Sequence, residues 1–181
     1  AREAMSHYDV PPDRCFVAGL SAGAAMAVIL GTTYPDVFAA AGVHSGLPYR
    51  SARDVASAFA AMAGQRSEQS AEPSHPGIRT IVFHGSADST VHVSNGDGIA
   101  RNADRNAPSP SLQTTRTGQV NGRTCSVTTS TGPDGRDHLE HWVIDGLGHA
   151  WSGGQPGGSY TDPQGPDASA EMIRFFFEFK D

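Results

Sequence analysis

The stretch CFVAGLSAGAAMAVIL, residues 15–30, decides the fold, because a serine stands between two glycines where an apolar run changes its period. Ahead of it, Cys15 to Ala18 form a short apolar run of the kind a buried strand shows. Behind it, Ala24 to Leu30 is apolar, suits a helix, and reaches a stop at Tyr34-Pro35. Ser21 is therefore expected on a tight strand-to-helix turn.

Working outward, AREAMSHY reads as the end of a helix with Met5 and Tyr8 on one face, followed by a loop at Val10-Pro11-Pro12. The helix after Ser21 spans Ala22 to about Thr33, and Phe38 to Val43 reads as a second strand ending at His44-Ser45-Gly46-Leu47-Pro48. Ser51 to Ala63 has helical spacing, and Gly64 to Pro76 is a polar loop. Ile78 to Phe83 is near-continuously apolar, as in a strand of a parallel sheet buried on both faces, and it runs into HGSADSTV. Asn95 to Asn106 suits a helix, and Pro108 to Pro110 breaks the chain. Cys125 to Ser130 and His138 to Ile144 are β-like, and Gly132-Pro133-Asp134-Gly135 between them signals a hairpin. Gly146 to Gly165 is a Gly- and Pro-rich loop, after which Asp167 caps a last helix. There Met172, Ile173, Phe176, Phe177 and Lys180 recur at three- and four-residue steps and are expected to be mostly core. Strands alternating with helices predict an α/β sandwich with a largely parallel sheet.

Composition bounds the function. With 181 residues, 38% of them hydrophobic and 18% charged, the chain reads as one globular domain, residues 1–181. A net charge of −6 without a basic patch argues against nucleic acid or an anionic membrane surface and for a small or neutral ligand. The longest apolar run, Ala24 to Leu30, is far short of the ~20 residues of a membrane-spanning helix. AREAMSHYDV carries no apolar signal-peptide core. Cys15 and Cys125 have no metal-ligand spacing; Cys15 suits a buried free thiol, and a Cys15–Cys125 disulfide stays open. No metal and no cofactor is expected: H-E-x-x-H, G-x-x-x-x-G-K and the dinucleotide fingerprint are all absent.

Gly19-Leu20-Ser21-Ala22-Gly23 matches the nucleophile-elbow pattern G-x-S-x-G. Small neighbours let strand and helix pack closely while the hydroxyl stands clear of the sheet, although a structural Gly-Ser-Gly turn fits the same letters. A serine hydroxyl needs a base, and the base an orienting carboxylate; in this fold class they follow in the order Ser, acid, His, on loops after strands. Asp88 fits the acid, just beyond the strand Ile78–Phe83, and His149 fits the base, in DGLGHAW after the strand ending at Ile144. Asp145 is a rival carboxylate, but four residues from His149 it is expected to close its own turn, and Asp97 sits in a helix. Among the other histidines, His7, His75 and His138 suit solvated segments, and His44, His84 and His92 suit polar positions near strand ends. His141 alternates outward on its strand.

Together GLSAGAAM, VHSGLPY, VFHGSADSTVH, EHWVIDGLGHAWSGG and SYTDPQGPDASAEMIRFF resemble the esterase family of poly(3-hydroxybutyrate) depolymerases, related to feruloyl and acetyl xylan esterases. The resemblance covers nearly the whole chain. It implies an α/β-hydrolase fold with Ser21 as nucleophile, His149 as base and Asp88 as orienting acid, and secretion is usual for such enzymes. It also implies first strands and an HG-type loop upstream, so the chain corresponds to the C-terminal two-thirds of a catalytic domain. The family usually has a second Gly where Ala24 stands, and a methyl is expected to be tolerated there.

The expected reaction is ester hydrolysis through an acyl-enzyme, with the Ala22 N–H as one oxyanion donor. Trp151, Leu47 and Tyr49 are candidates to wall the acyl or polymer channel, ordinary rim packing being the other reading. The partner expected is a small or polymeric ester: a hydroxyalkanoate, or alternatively an acetylated or feruloylated carbohydrate. Acyl transfer to another acceptor, and a catalytically incomplete fragment acting as a binding domain, are the remaining readings.

Overall fold

The computed structural model describes residues 1–65, 77–107 and 111–177. Residues 66–76 of the expected polar loop Gly64–Pro76, His75 among them, the break at Pro108–Pro110 and Lys180 lie outside the described residues. A short helix α1 (Arg2–His7) and a 3-10 turn (Pro12–Arg14) lead into strand β1 (Phe16–Leu20) and helix α2 (Ala22–Thr33). Then follow β2 (Ala40–His44), α3 (Val55–Met62), β3 (Arg79–Gly85) and α4 (Ser94–Arg105). The strands β4 (Leu112–Val120), β5 (Arg123–Thr131) and β6 (Asp137–Ile144) come next, then β7 (Trp151–Ser152), β8 (Thr161–Asp162) and α5 (Ala168–Phe177).

The six-stranded sheet has the order β1-β2-β3-β6-β5-β4, with β1, β2, β3 and β6 parallel and β5 and β4 antiparallel at one end. Its two faces follow from the period-2 alternation of strand side chains. Ile81, Phe83, Trp142 and Ile144 meet α5 through Met172, Phe175 and Phe176. Val43, Val82 and Leu139 meet α2 and α4 through Ala24, Ile99 and Ala100. Both faces are covered, which is why β3 reads as an unbroken apolar run.

Three expectations change. Strand β4 was not expected, because LQTTRTGQV is polar and every residue of it is exposed. It is a sheet edge, where polar, Thr-rich sequence discourages pairing with another chain. Its signal was Asn121-Gly122, both at positive φ (44° and 85°), which join Val120 to Arg123 in a two-residue hairpin. The Gly/Pro-rich segment after Gly146 is not plain loop, since it carries the two-residue strands β7 and β8, paired in parallel. On α5 the buried stripe is Ala168, Met172, Phe175 and Phe176, while Ile173 and Phe177 are 59% and 48% exposed. The sheet therefore selects steps of four, seven and eight, and the run of three phenylalanines had hidden which two face inward. The Asp167 cap is present, its carboxylate accepting from the N–H groups of Ser169 and Ala170. Cys15 and Cys125 are both free thiols. Among the described residues, no helix is long and apolar enough to cross a membrane, and no group of three His, Cys, Asp or Glu side chains could hold a metal ion.

Candidate active site

Because β1, β3 and β6 run parallel, the residues that follow them emerge beyond the C-terminal ends of the strands, and Ser21, Asp88 and His149 all lie there. Ser21 has φ 57° and ψ −117°, a region sparsely populated by any residue with a Cβ, and such strain persists only where surroundings impose it. Its N–H donates to the His44 carbonyl at 2.9 Å, extending the β1–β2 ladder into the turn. A Cβ on Gly19 would lie 2.3 Å from the Gly23 carbonyl carbon, so this glycine is what lets α2 fold back onto β1. Gly23 is different, with open space where its Cβ would stand. The second glycine of the motif is not demanded by packing within this chain. Ala24 is fully buried against the sheet, as its methyl was expected to allow. Ala22 opens α2, so its N–H has no acceptor within the helix and points outward from the turn.

The loop after β3 builds a carboxylate cradle. Asp88 Oδ1 accepts from the N–H groups of Val91 (2.8 Å) and Thr90 (3.0 Å), while Oδ2 receives His149 Nδ1 at 2.8 Å. The Asp88 side chain is fully buried and that of His149 is 13% exposed. Burial alone would raise the Asp88 carboxyl, but the Val91 N–H, His149 and Ser45 hydrogen bonds outweigh it and hold it below its ordinary value. Asp88 is thus an ionised acceptor that fixes His149 with Nδ1 protonated and Nε2 free to accept a proton. The loops after β3 and β6 are locked together. A Cβ on Gly85 would lie 2.1 Å from the Leu147 carbonyl oxygen, Ala87 N–H donates to that oxygen, and Ser86 N–H donates to the Ile144 carbonyl. Asp145 does not close its own turn: it accepts from the Ser86 hydroxyl at 3.0 Å, and that hydroxyl accepts from Gly146 N–H.

Two further histidines sit behind the acid, both fully buried. His44 Nε2 accepts from the Ser152 N–H at 3.1 Å, and its ring stacks between Phe83 and Trp151, with centroids 5.8 and 5.2 Å away. Burial, with help from His84 and His149, lowers its pKa to about 3, so it is neutral. His84 Nε2 donates to the Val91 carbonyl at 2.8 Å and stands 3.6 Å from Asp88 Oδ2. His141 is buried rather than outward-facing, because α4 covers the face to which it alternates, and burial lowers its pKa to about 4. Trp151, two residues from His149, is half-buried, its Nε1 donating to Ser169 Oγ. Leu47 and Tyr49, after β2, are half-buried at the same end of the sheet, and the Arg50 guanidinium stands 5.2 Å from the Tyr49 ring centroid. What the motif reading missed is the support around the acid, the amides of Thr90 and Val91. The Asp-x-Thr-Val spacing of an Asx turn was its one legible signal.

The family model described as Esterase PHB depolymerase matches residues 2–117. The chain is 35% identical to poly(3-hydroxyalkanoate) depolymerase C of Paucimonas lemoignei over 101 residues, which cover 50% of this chain and 24% of that protein. It is 31% identical to a probable acetylxylan esterase A of Aspergillus fumigatus over 107 residues, covering 50% of this chain and 29% of that protein. Among solved structures, a PHB depolymerase complexed with an R3HB trimer superposes with a TM-score of 0.68 at 17% identity, covering 94% of this chain and 53% of that one. The chain thus spans about half the length of that structure, and its fold is part of the α/β-hydrolase fold.

Proposed function

Since the chain belongs to the esterase PHB depolymerase family, we propose that it hydrolyses carboxylic esters through a Ser21–His149–Asp88 triad, with short-chain hydroxyalkanoate polymers or oligomers as substrates. The observation that carries this reading is the 2.8 Å bond of His149 Nδ1 to the buried Asp88 carboxylate, at the C-terminal ends of the parallel strands where Ser21 occupies its strained turn. In the first half-reaction Ser21 Oγ attacks the ester carbonyl carbon, and His149 Nε2 takes the hydroxyl proton. Asp88 holds the ring in the required tautomer and stabilises the imidazolium. The carbonyl oxygen, now anionic, receives the Ala22 N–H at the head of α2; the complementary donor is proposed to come from an HG-type loop of the kind the family resemblance implies. Removal of one such donor costs roughly 100- to 1,000-fold in rate. The tetrahedral intermediate collapses as His149 protonates the departing alcohol, and water, deprotonated by His149, releases the acid from Ser21.

Trp151, Leu47 and Tyr49 are proposed to line the acyl channel. The enzyme is proposed to be secreted, as is usual for the esterase family to which the chain belongs. The 31% identity to an acetylxylan esterase favours a second reading, deacetylation of xylan by the same residues. Hydrolysis of 3-hydroxybutyrate oligomers, acetylated xylan and a nitrophenyl butyrate, each with the wild-type chain and Ser21→Ala, tests the proposal. It predicts hydroxy-acid release that Ser21→Ala abolishes; equal turnover by Ser21→Ala contradicts it, and acetate release alone selects the second reading.

A further inference from the structure

The hairpin β4–β5 stands apart in the fold: every residue of β4 is exposed, and none belongs to either core cluster. Its turn, by contrast, is tied to the segment that carries His149. The Thr124 carbonyl accepts the Asp145 N–H at 2.9 Å, and the Arg123 guanidinium donates from Nη1 to the Asp145 carbonyl at 3.0 Å. Nη2 of the same guanidinium pairs with Asp162 Oδ2. Asn121 Nδ2 donates to the Pro163 carbonyl at 2.7 Å, and the Asn121 carbonyl accepts from the Gly165 N–H at 3.0 Å. Two glycines make the room. A Cβ on Gly146 (φ 68°) would lie 3.0 Å from Arg123 Nη1, and one on Gly165 (φ 85°) would lie 3.3 Å from Arg123 Cδ.

From this geometry we infer that Arg123 is a positioning residue for His149, a clasp across the two ends of the segment 145–162. The inference rests on the triad reading and deepens it. One arm of the guanidinium holds the backbone at Asp145, ahead of His149. The other holds Asp162, which pairs with Ser152 in the β7–β8 register and whose carbonyl accepts the Gly153 N–H at 2.8 Å, just after His149. His149 thus lies on a short stretch fixed on both sides by one side chain. The Asp88 bond sets how the imidazole ring turns, and the clasp sets where its backbone stands. Arg is suited to this because its planar guanidinium presents donors in two directions at once, whereas a Lys ammonium is a point charge on a flexible stem. The Arg123 and Asp162 side chains are only 17% and 21% exposed, so the pair is largely shielded from solvent. Asp162 Oδ1 is taken by the Gln164 N–H at 2.9 Å, which leaves Oδ2 to the guanidinium.

The test uses Arg123→Ala, which removes the guanidinium, Arg123→Lys, which keeps its charge, and Asp162→Asn, the mildest change, which leaves one acceptor oxygen for two donors. Folding of each variant is checked by its thermal midpoint, and Ser21 labelling by a fluorophosphonate is measured well below that temperature. Labelling needs no turnover, and its concentration dependence separates the limiting rate from half-saturation. Loss of the clasp lets His149 drift from Ser21. The limiting rate in Arg123→Ala therefore falls roughly ten- to a hundredfold, the scale of a misplacement of about 1 Å. Arg123→Lys restores the thermal midpoint more fully than the rate, Asp162→Asn loses severalfold, and half-saturation moves less than about twofold in all three. An unchanged limiting rate in folded variants, with wild-type Ser21 labelled, overturns this inference alone. So does a changed half-saturation at an unchanged limiting rate, which marks a channel wall, and so does full recovery of the rate in Arg123→Lys, which marks a plain ion pair. A wild-type chain unlabelled at Ser21 overturns the triad reading and this inference with it.

Discussion

Lowering the pH from 7 to 5 should destabilise this fold through two histidines that are buried neutral. His44 cannot take a proton on Nε2 without setting N–H against the Ser152 N–H, and His141 lies under α4 with its Nε2 lacking a partner among the described residues. Burial lowers them to about 3 and about 4, from an ordinary 6.5. Between those values and 6.5 the unfolded chain binds protons that the native chain does not, so stability falls as pH falls. At pH 5 each unfolded imidazole is almost fully protonated and each folded one is not, which costs about 2 kcal/mol per residue and about 4 kcal/mol for the pair. The result is insensitive to the depth of the shift, since any folded value well below 5 gives nearly the same loss. Asp88 and Asp104, whose folded values are depressed below 3.8, lose their contribution only in stronger acid, outside this window. Urea unfolding followed by Trp142 and Trp151 fluorescence at the two pH values measures the difference. His141→Leu should remove its own share of the pH dependence, about 2 kcal/mol, and leave stability at pH 7 unchanged or higher, because a buried nitrogen without a partner among the described residues is removed. Stability equal within about 1 kcal/mol at pH 7 and 5 would refute the neutral-histidine argument.

Substitution at the two elbow glycines should separate. Gly19→Ala drives a methyl into the α2 backbone and should cost about 3 kcal/mol or more, whereas Gly23→Ala meets open space and should be neutral or raise the thermal midpoint slightly. Glu140→Ala removes the carboxylate that accepts both from Arg174 Nη2 and from Trp142 Nε1. It should destabilise by about 2–3 kcal/mol in chemical denaturation, less than for a fully buried pair because Arg174 is 35% exposed. Gly85→Ala collides with the Leu147 carbonyl and should part the loops that hold Asp88 and His149. The loss should appear in Ser21 labelling as well as in thermal stability.

Much of this was legible because one principle repeats: a parallel strand buried on both faces reads as an apolar run, and the residues after it carry polar chemistry. That located β1, β2, β3 and the loops bearing Ser21, Asp88 and His149, whose acid–base pair the fold brings to hydrogen-bond distance. The same two-sided burial misled at His141, where strand alternation alone was read as exposure. Strand β4 escaped because an edge strand has no apolar face to display, and only Asn121-Gly122 betrayed its turn. The place of His44 was not readable because it depends on a bond from Ser152 N–H and on stacking with Phe83 and Trp151, far apart in sequence and joined only by the fold.

The central claim is that Ser21 is a nucleophile activated by His149 and oriented by Asp88. Reaction of the chain with a fluorophosphonate, followed by mass localisation of the adduct, tests it most directly. The account predicts one adduct on Ser21, lost in Ser21→Ala and strongly slowed in His149→Ala and Asp88→Asn. An adduct on another residue, or labelling of Ser21 at an undiminished rate without His149, would contradict it.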